Sequence, residues 1–197
     1  MSPSGAPPPP PLPVPDRVVV ADVRPRTTPP SVRPEGPAGA FLLELITVNG
    51  YPFKDHWSYF IRSHQHHDTG VVIHATGDVA NGFRLEIKRC FQVNEPGSPP
   101  NKRIPLQWIE GKHFDERAML NNWELKFDTV PVCAFEGSLC KVEAPGKTLN
   151  TVAGDGVVGK KVALKNCQSW VIESADQLVI DQMLLPEVAA YLRAIEQ

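Results

Sequence analysis

Three residues of this chain have types and contexts that could do chemistry together: Cys167, His56 and His74. A cysteine attacks as its thiolate, and the exposed N–H groups at a helix start favour that form. Cys167 follows Asn166, a good N-cap, and precedes Val171, Ala175, Leu178 and Val179, which recur at helical spacing. The sequence therefore predicts that Cys167 opens a helix, with Lys165 adding positive charge nearby. A small buried cysteine that happens to start a helix fits the same spacing. His56 and His74 lie in the segments HWSYFI and GVVIHAT, both β-compatible. A hairpin closing symmetrically about Gln65 puts His56 opposite His74, with Ser58 and Val72 as the next pair. Trp57, Tyr59 and Ile61 then fill the other face with Val71, Ile73 and Ala75. Of two such histidines, one can take the thiol proton as general base while the other orients it. The alternative is one satisfied core histidine and one surface histidine.

The elements that must position these residues follow from periodicity. Phe41 to Val48 is an apolar run of strand length closed by Asn49-Gly50. In Gly82 to Phe91, Phe83, Leu85 and Ile87 alternate with Arg84, Glu86 and Lys88, the period of a half-buried strand. Shorter strands are expected at Trp123 to Phe127, Pro131 to Phe135 and Ser138 to Val142, and a short helix at Asp115 to Asn121. A glycine-containing loop, Ala144 to Lys160, precedes the cysteine helix and is placed to gate access to it. Pro186 opens a final helix with Leu185, Val188, Ala189, Leu192 and Ile195 on its apolar side. A β-rich middle followed by helices reads as α+β, an antiparallel β-sheet packed against C-terminal helices.

The anchors His56-Trp57-Ser58-Tyr59, Val72-Ile73-His74 and Asn166-Cys167 resemble the circularly permuted papain-like thiol enzymes, a permuted NlpC-type arrangement. The closest pattern is the lecithin:retinol acyltransferase family with its phospholipase/acyltransferase relatives. Desumoylating-type permuted peptidases share the His…Cys order, and small fungal proteins also look alike. The resemblance implies a circularly permuted papain-like fold, with His56 as base, His74 as orienting residue and Cys167 as nucleophile. It covers three anchor segments. It departs after the cysteine, where the family's Glu-His-Phe is Gln168-Ser169-Trp170, and in longer connections around the hairpin. The activity implied is that of a cysteine-dependent hydrolase or acyl transferase acting on an amide, ester or thioester. The partner is a small-molecule or peptidyl substrate, and no cofactor or metal is implied. Two other readings stand beside it: a catalytically silent binding or scaffold module, and a peptidase of ubiquitin-like tails.

The whole chain fits this setting. Its 197 residues suffice for one domain with a core, and 42% hydrophobic with 21% charged residues is ordinary for a globular protein. A net charge of -2 points away from nucleic acid. No apolar run approaches the ~20 residues of a transmembrane helix. No secretory signal is visible, so a cytoplasmic location with reduced thiols is expected. Thirteen of the 21 prolines precede residue 38, including the run PPPPPLP from Pro7 to Pro13. Residues 1–38 thus read as a disordered or extended arm, more simply a solubilising tail than a ligand for a profilin, SH3 or WW domain, and 39–197 as a single catalytic-type α+β domain. Arg17 to Ala21 could add one strand. His64, His66, His67 and Asp68 read as an ordinary polar turn rather than a metal site. Gly154 to Lys161 misses the Ser/Thr of a phosphate-binding loop. Trp57, Trp108, Trp123 and Trp170 are expected in the core, and Cys90, Cys133 and Cys140 in inert strand contexts.

Overall fold

The computed structural model describes residues 27–95, 101–147 and 164–197. The chain folds as α+β. Six antiparallel strands, β1 (Phe41–Val48), β2 (His56–Arg62), β3 (Thr69–Asp78), β4 (Gly82–Gln92), β5 (Asn101–Ile109) and β6 (Lys126–Asp128), make one sheet in the order β5-β1-β2-β3-β4-β6. Four α-helices are described: α1 (Glu116–Met119), α2 (Ala134–Leu139), α3 (Cys167–Ile180) and α4 (Pro186–Ala194). The longest, α3, crosses one face of the central strands.

Alternation in the strands decides which side chains meet that helix. Leu43, Leu45, Trp57, Tyr59, Ile61, Val71, Ile73, Ala75 and Ile87 point to one face and join Trp170, Val171, Ala175 and Leu178 of α3 and Val188 and Leu192 of α4 in the main core. The Tyr59 hydroxyl donates to the Val171 carbonyl at 2.7 Å, which ties β2 to α3. The opposite face holds a smaller cluster of Ile46, Phe60, Val72 and Val93. There Arg103 of β5 spans Glu44 at 2.5 Å and Asp68 at 2.6 Å.

The hairpin of β2 and β3 differs from symmetrical closure about Gln65. Tyr59 pairs with Ile73, Phe60 with Val72 and Arg62 with Gly70, so the hairpin closes about His66. Extending this register puts His74 opposite Ser58, two residues from the expected partner. A shift of two preserves the face, so the two histidines still project together. The turn is set locally: the Ser63 N–H donates to the Thr69 carbonyl, and the Thr69 N–H donates to the His66 carbonyl.

Other segments depart from expectation. The strands foreseen at Pro131 to Phe135 and Ser138 to Val142 are replaced by α2. Phe135 and Leu139, four residues apart and one turn along the helix, are both fully buried on its inner side. Cys133 and Cys140 therefore flank a helix and do not lie in strands. Of Trp123 to Phe127, only Lys126–Asp128 includes strand, and Trp123 closes a 3-10 turn. β5 was not foreseen, because Pro105 interrupts it. As an edge strand it accommodates proline at a register shift, where Glu44 faces Pro105 and Leu43 faces Gln107. Trp57 and Trp170 are core, but Trp108 is half-buried and Trp123 is 42% exposed.

The end of the Pro-rich arm lies on β5. The Trp108 indole N–H donates to the Arg33 carbonyl at 2.9 Å. Gly36 packs so closely on this ring that a Cβ there would meet Trp108 Cδ2 at 2.2 Å. The PPPPPLP run, the Arg17 to Ala21 interlude, the Gly154 to Lys161 motif and most of the Ala144 to Lys160 loop lie outside the described residues.

Candidate active site

Cys167 is the first residue of α3, as its sequence context predicts. The Asn166 side chain accepts from the Gln168 N–H at 2.8 Å and the Ser169 N–H at 3.2 Å, and Ser169 Oγ accepts in return from the Asn166 N–H at 3.3 Å. This capping box occupies two helix-start amides and leaves the Cys167 N–H outside it. Cys167 is 7% exposed and its thiol donates toward the Asp55 carbonyl at 3.9 Å, while the Trp57 N–H faces the sulfur. The nucleophile candidate is thus seated on the main chain on both sides of His56. Gln168 fixes the seat. Its Nε2 donates to the same Asp55 carbonyl at 2.8 Å, and its Oε1 accepts from the Gln197 N–H at 3.0 Å.

The two histidines meet. His56 Nε2 and His74 Nδ1 are 2.6 Å apart with the rings nearly perpendicular at 78°. The second nitrogen of His74, Nε2, lies 3.1 Å from Glu86 Oε1. Glu86 is the direct cross-strand partner of His74 in the β3–β4 ladder. Its carboxylate is also approached by Lys88 at 3.7 Å and Arg84 at 3.8 Å. The line His56–His74–Glu86 therefore crosses three strands on the face of the sheet away from α3.

Burial governs the electrostatics. It pushes the Cys167 thiol up, and the N–H groups of Trp57, Gln168 and Cys167 and the Lys54 ammonium oppose it only in part. The helix start was expected to lower this pKa with help from Lys165. Desolvation outweighs the helix start, and Lys165 is bound instead to Glu173 at 2.7 Å. Burial likewise lowers His56, with Lys88 adding to it. His74 falls for the same reason, reinforced by His56 and Lys88 and opposed by its contact with Glu86. Burial would raise Glu86, but His74, Lys88 and Arg84 outweigh it and hold the carboxyl below its ordinary value. The resting thiol is thus neutral, and so are the two imidazoles, whose line ends on a carboxylate; among the described residues Cys167 Sγ bonds the Asp55 carbonyl and neither histidine ring.

Glu86 is the site residue that the sequence reading missed. The strand alternation placed it outside the main core, and a single histidine hairpin gave it no partner. The register of the second hairpin, turning at Asp78 to Gly82, was the signal that could have paired it with His74.

His64, His66 and Asp68 of the polar turn have their own partners, Asp68 that of Arg103 described above. His64 contacts Glu116 through Nδ1 at 3.0 Å and the Ala40 carbonyl through Nε2 at 3.1 Å. His66 packs edge-on against Trp123. Among the described residues no group of three His, Cys, Asp or Glu side chains is placed to hold a metal ion. A hollow of about 550 Å³ at the β2–β3 turn is lined by Gln65 to Thr69 and Gln92 and contains none of the three candidate residues. A smaller one of about 190 Å³, lined by Arg84, Leu85, Glu86, Phe127, Asp128 and Thr129, reaches the histidine line at Glu86. Burial raises the thiols of Cys90, Cys133 and Cys140. No described helix is long and apolar enough to cross a membrane.

A family model described as a family of unknown function (DUF6540) matches residues 43–185, a span that includes β2, β3, β4 and α3. No curated protein and no solved structure matches the chain.

Proposed function

The chain belongs to the DUF6540 family, whose function is unknown, and on the chemistry of its site we propose that it is a cysteine-dependent hydrolase or acyl transferase acting on an amide, ester or thioester. The observation that carries this reading is the 2.6 Å contact between His56 and His74, together with a cysteine seated against the backbone of Asp55 and Trp57, the residues on either side of His56. Cys167 attacks the carbonyl carbon. His56 takes the thiol proton and returns it to the leaving group, and His74 holds the His56 ring. The Cys167 N–H, outside the capping box, is one donor for the developing oxyanion. A neutral resting thiol makes the base a requirement, because little thiolate is present to react unaided.

The proposal includes a circularly permuted papain-like arrangement. Its support is the chain order: a hairpin carrying both histidines, then a helix that starts on Asn-Cys. The test is acyl-enzyme formation from an activated p-nitrophenyl ester, followed by intact mass and peptide mapping. The expected result is a stoichiometric acyl group on Cys167, absent in Cys167→Ala and slowed about a hundredfold or more in His56→Ala. Acylation elsewhere, or at an unchanged rate in His56→Ala, overturns it. Deleting residues 1–26 leaves acylation unchanged on this reading, whereas a scaffold that works through its Pro-rich arm would lose its function with the thiol site intact.

A further inference from the structure

We infer that Glu86 is the positioning residue that sets the tautomers of both histidines and so leaves the His56 Nδ1 lone pair free to act as a base. The inference deepens the proposed thiol chemistry and rests on it. The protonation pattern follows from hydrogen-bond counting. An ionised carboxylate only accepts, so the 3.1 Å contact with Glu86 Oε1 requires a proton on His74 Nε2. A neutral imidazole carries one N–H, so His74 Nδ1 is bare. The 2.6 Å contact between the rings then takes its proton from His56 Nε2. His56 has in turn spent its one N–H, and its Nδ1 is left as a base. On the proposed thiol chemistry, the Cys167 proton goes to His56 Nδ1. The imidazolium keeps its Nε2–H on His74 and is stabilised through that ring by the Glu86 charge.

The surroundings hold this pattern in place. Lys88 and Arg84 flank Glu86 on β4 and keep it ionised, and burial keeps both histidines neutral. The remaining charged group of the same hollow, Asp128 of β6, is taken by Arg89 at 3.1 Å and Lys126 at 2.9 Å, so it does not compete for His74. An amide in place of Glu86 could donate as well as accept. His74 could then carry its proton on Nδ1 and donate to His56 Nε2. The His56 proton would sit on Nδ1, where it can no longer accept one.

Imidazole ¹⁵N NMR of the full chain near neutral pH reads this directly. In the wild-type protein, the nitrogen shifts are expected to show both histidines protonated at Nε2 and bare at Nδ1. Glu86→Gln should introduce the Nδ1-protonated form and lower Cys167 alkylation by iodoacetamide, measured by peptide mapping, at least about tenfold. A wild-type His56 protonated at Nδ1 overturns the inference without any variant. Unchanged tautomers in a folded Glu86→Gln protein overturn it as well. The thiol reading fails separately: if His56→Ala alkylates at the wild-type rate, His56 is not the base, whatever the tautomers show.

Discussion

Cys167 and His56 are both moved by burial toward their uncharged forms, the thiol upward and the imidazole downward. On the proposed function, a base that stays neutral in mild acid remains competent there. The acid limb of the pH–rate profile for Cys167 acylation is therefore expected below 6.5, the ordinary histidine value, and a limb at or above 6.5 would contradict the burial argument. At this scale the sequence placed Cys167 at a helix start and His56 and His74 on one face, and it was silent about Glu86. A cysteine after Asn166 and two histidines in β-compatible segments can be read one segment at a time. Glu86 acquires its meaning only from the residue opposite it, and that pairing belongs to a ladder rather than to a segment.

At the scale of elements, the start of α3 and the bend around α2 each depend on a few polar contacts. Asn166→Ala removes the acceptor for the Gln168 and Ser169 N–H groups and is expected to cost about 1 kcal/mol, read by chemical denaturation. Its effect on Cys167 alkylation should exceed that of a cap change at α1, because only α3 starts on the thiol. Arg89, 1% exposed, bonds both oxygens of fully buried Glu136 at 2.9 and 3.1 Å and reaches Asp128 and the Val130 carbonyl. It joins β4, β6 and α2. Arg89→Ala leaves Glu136 charged without its partner and should cost about 3–5 kcal/mol in denaturant unfolding, far more than Arg84→Ala at an exposed position. The sequence showed α3 and α4 through their caps and periodicity. It misread α2 because six residues hold too few apolar repeats to tell a helix from two short strands, and the buried Arg89–Glu136 pair that anchors them spans distant parts of the chain.

For the whole molecule, the lowered histidines set how stability depends on pH. In the unfolded chain each histidine takes up a proton near 6.5, while in the folded chain His56 and His74 resist it. Below 6.5 the unfolded state therefore binds more protons, and stability falls as pH drops, until the folded histidines titrate too. Each contributes up to about 1.4 kcal/mol per pH unit in that window. Replacing His74 with Gln should flatten the fall between pH 6.5 and 5 in denaturant midpoints. An equally steep loss in that variant would place the acid sensitivity elsewhere. The arm is a second property of the whole molecule. Gly36→Ala drives a methyl into the Trp108 ring and should loosen residues 33–37, seen as faster proteolysis there with the core melting temperature nearly unchanged.

By itself the sequence determined the α+β class, the helix that opens on Cys167, and the face shared by His56 and His74, since these depend on caps and periodicities that a segment carries within itself. Tertiary structure alone decided that the hairpin closes about His66, that Glu86 completes the histidine line, and that the thiol rests uncharged. Register is a sum over paired strands, and desolvation is a sum over everything packed around a group, so neither is written in any single stretch of residues.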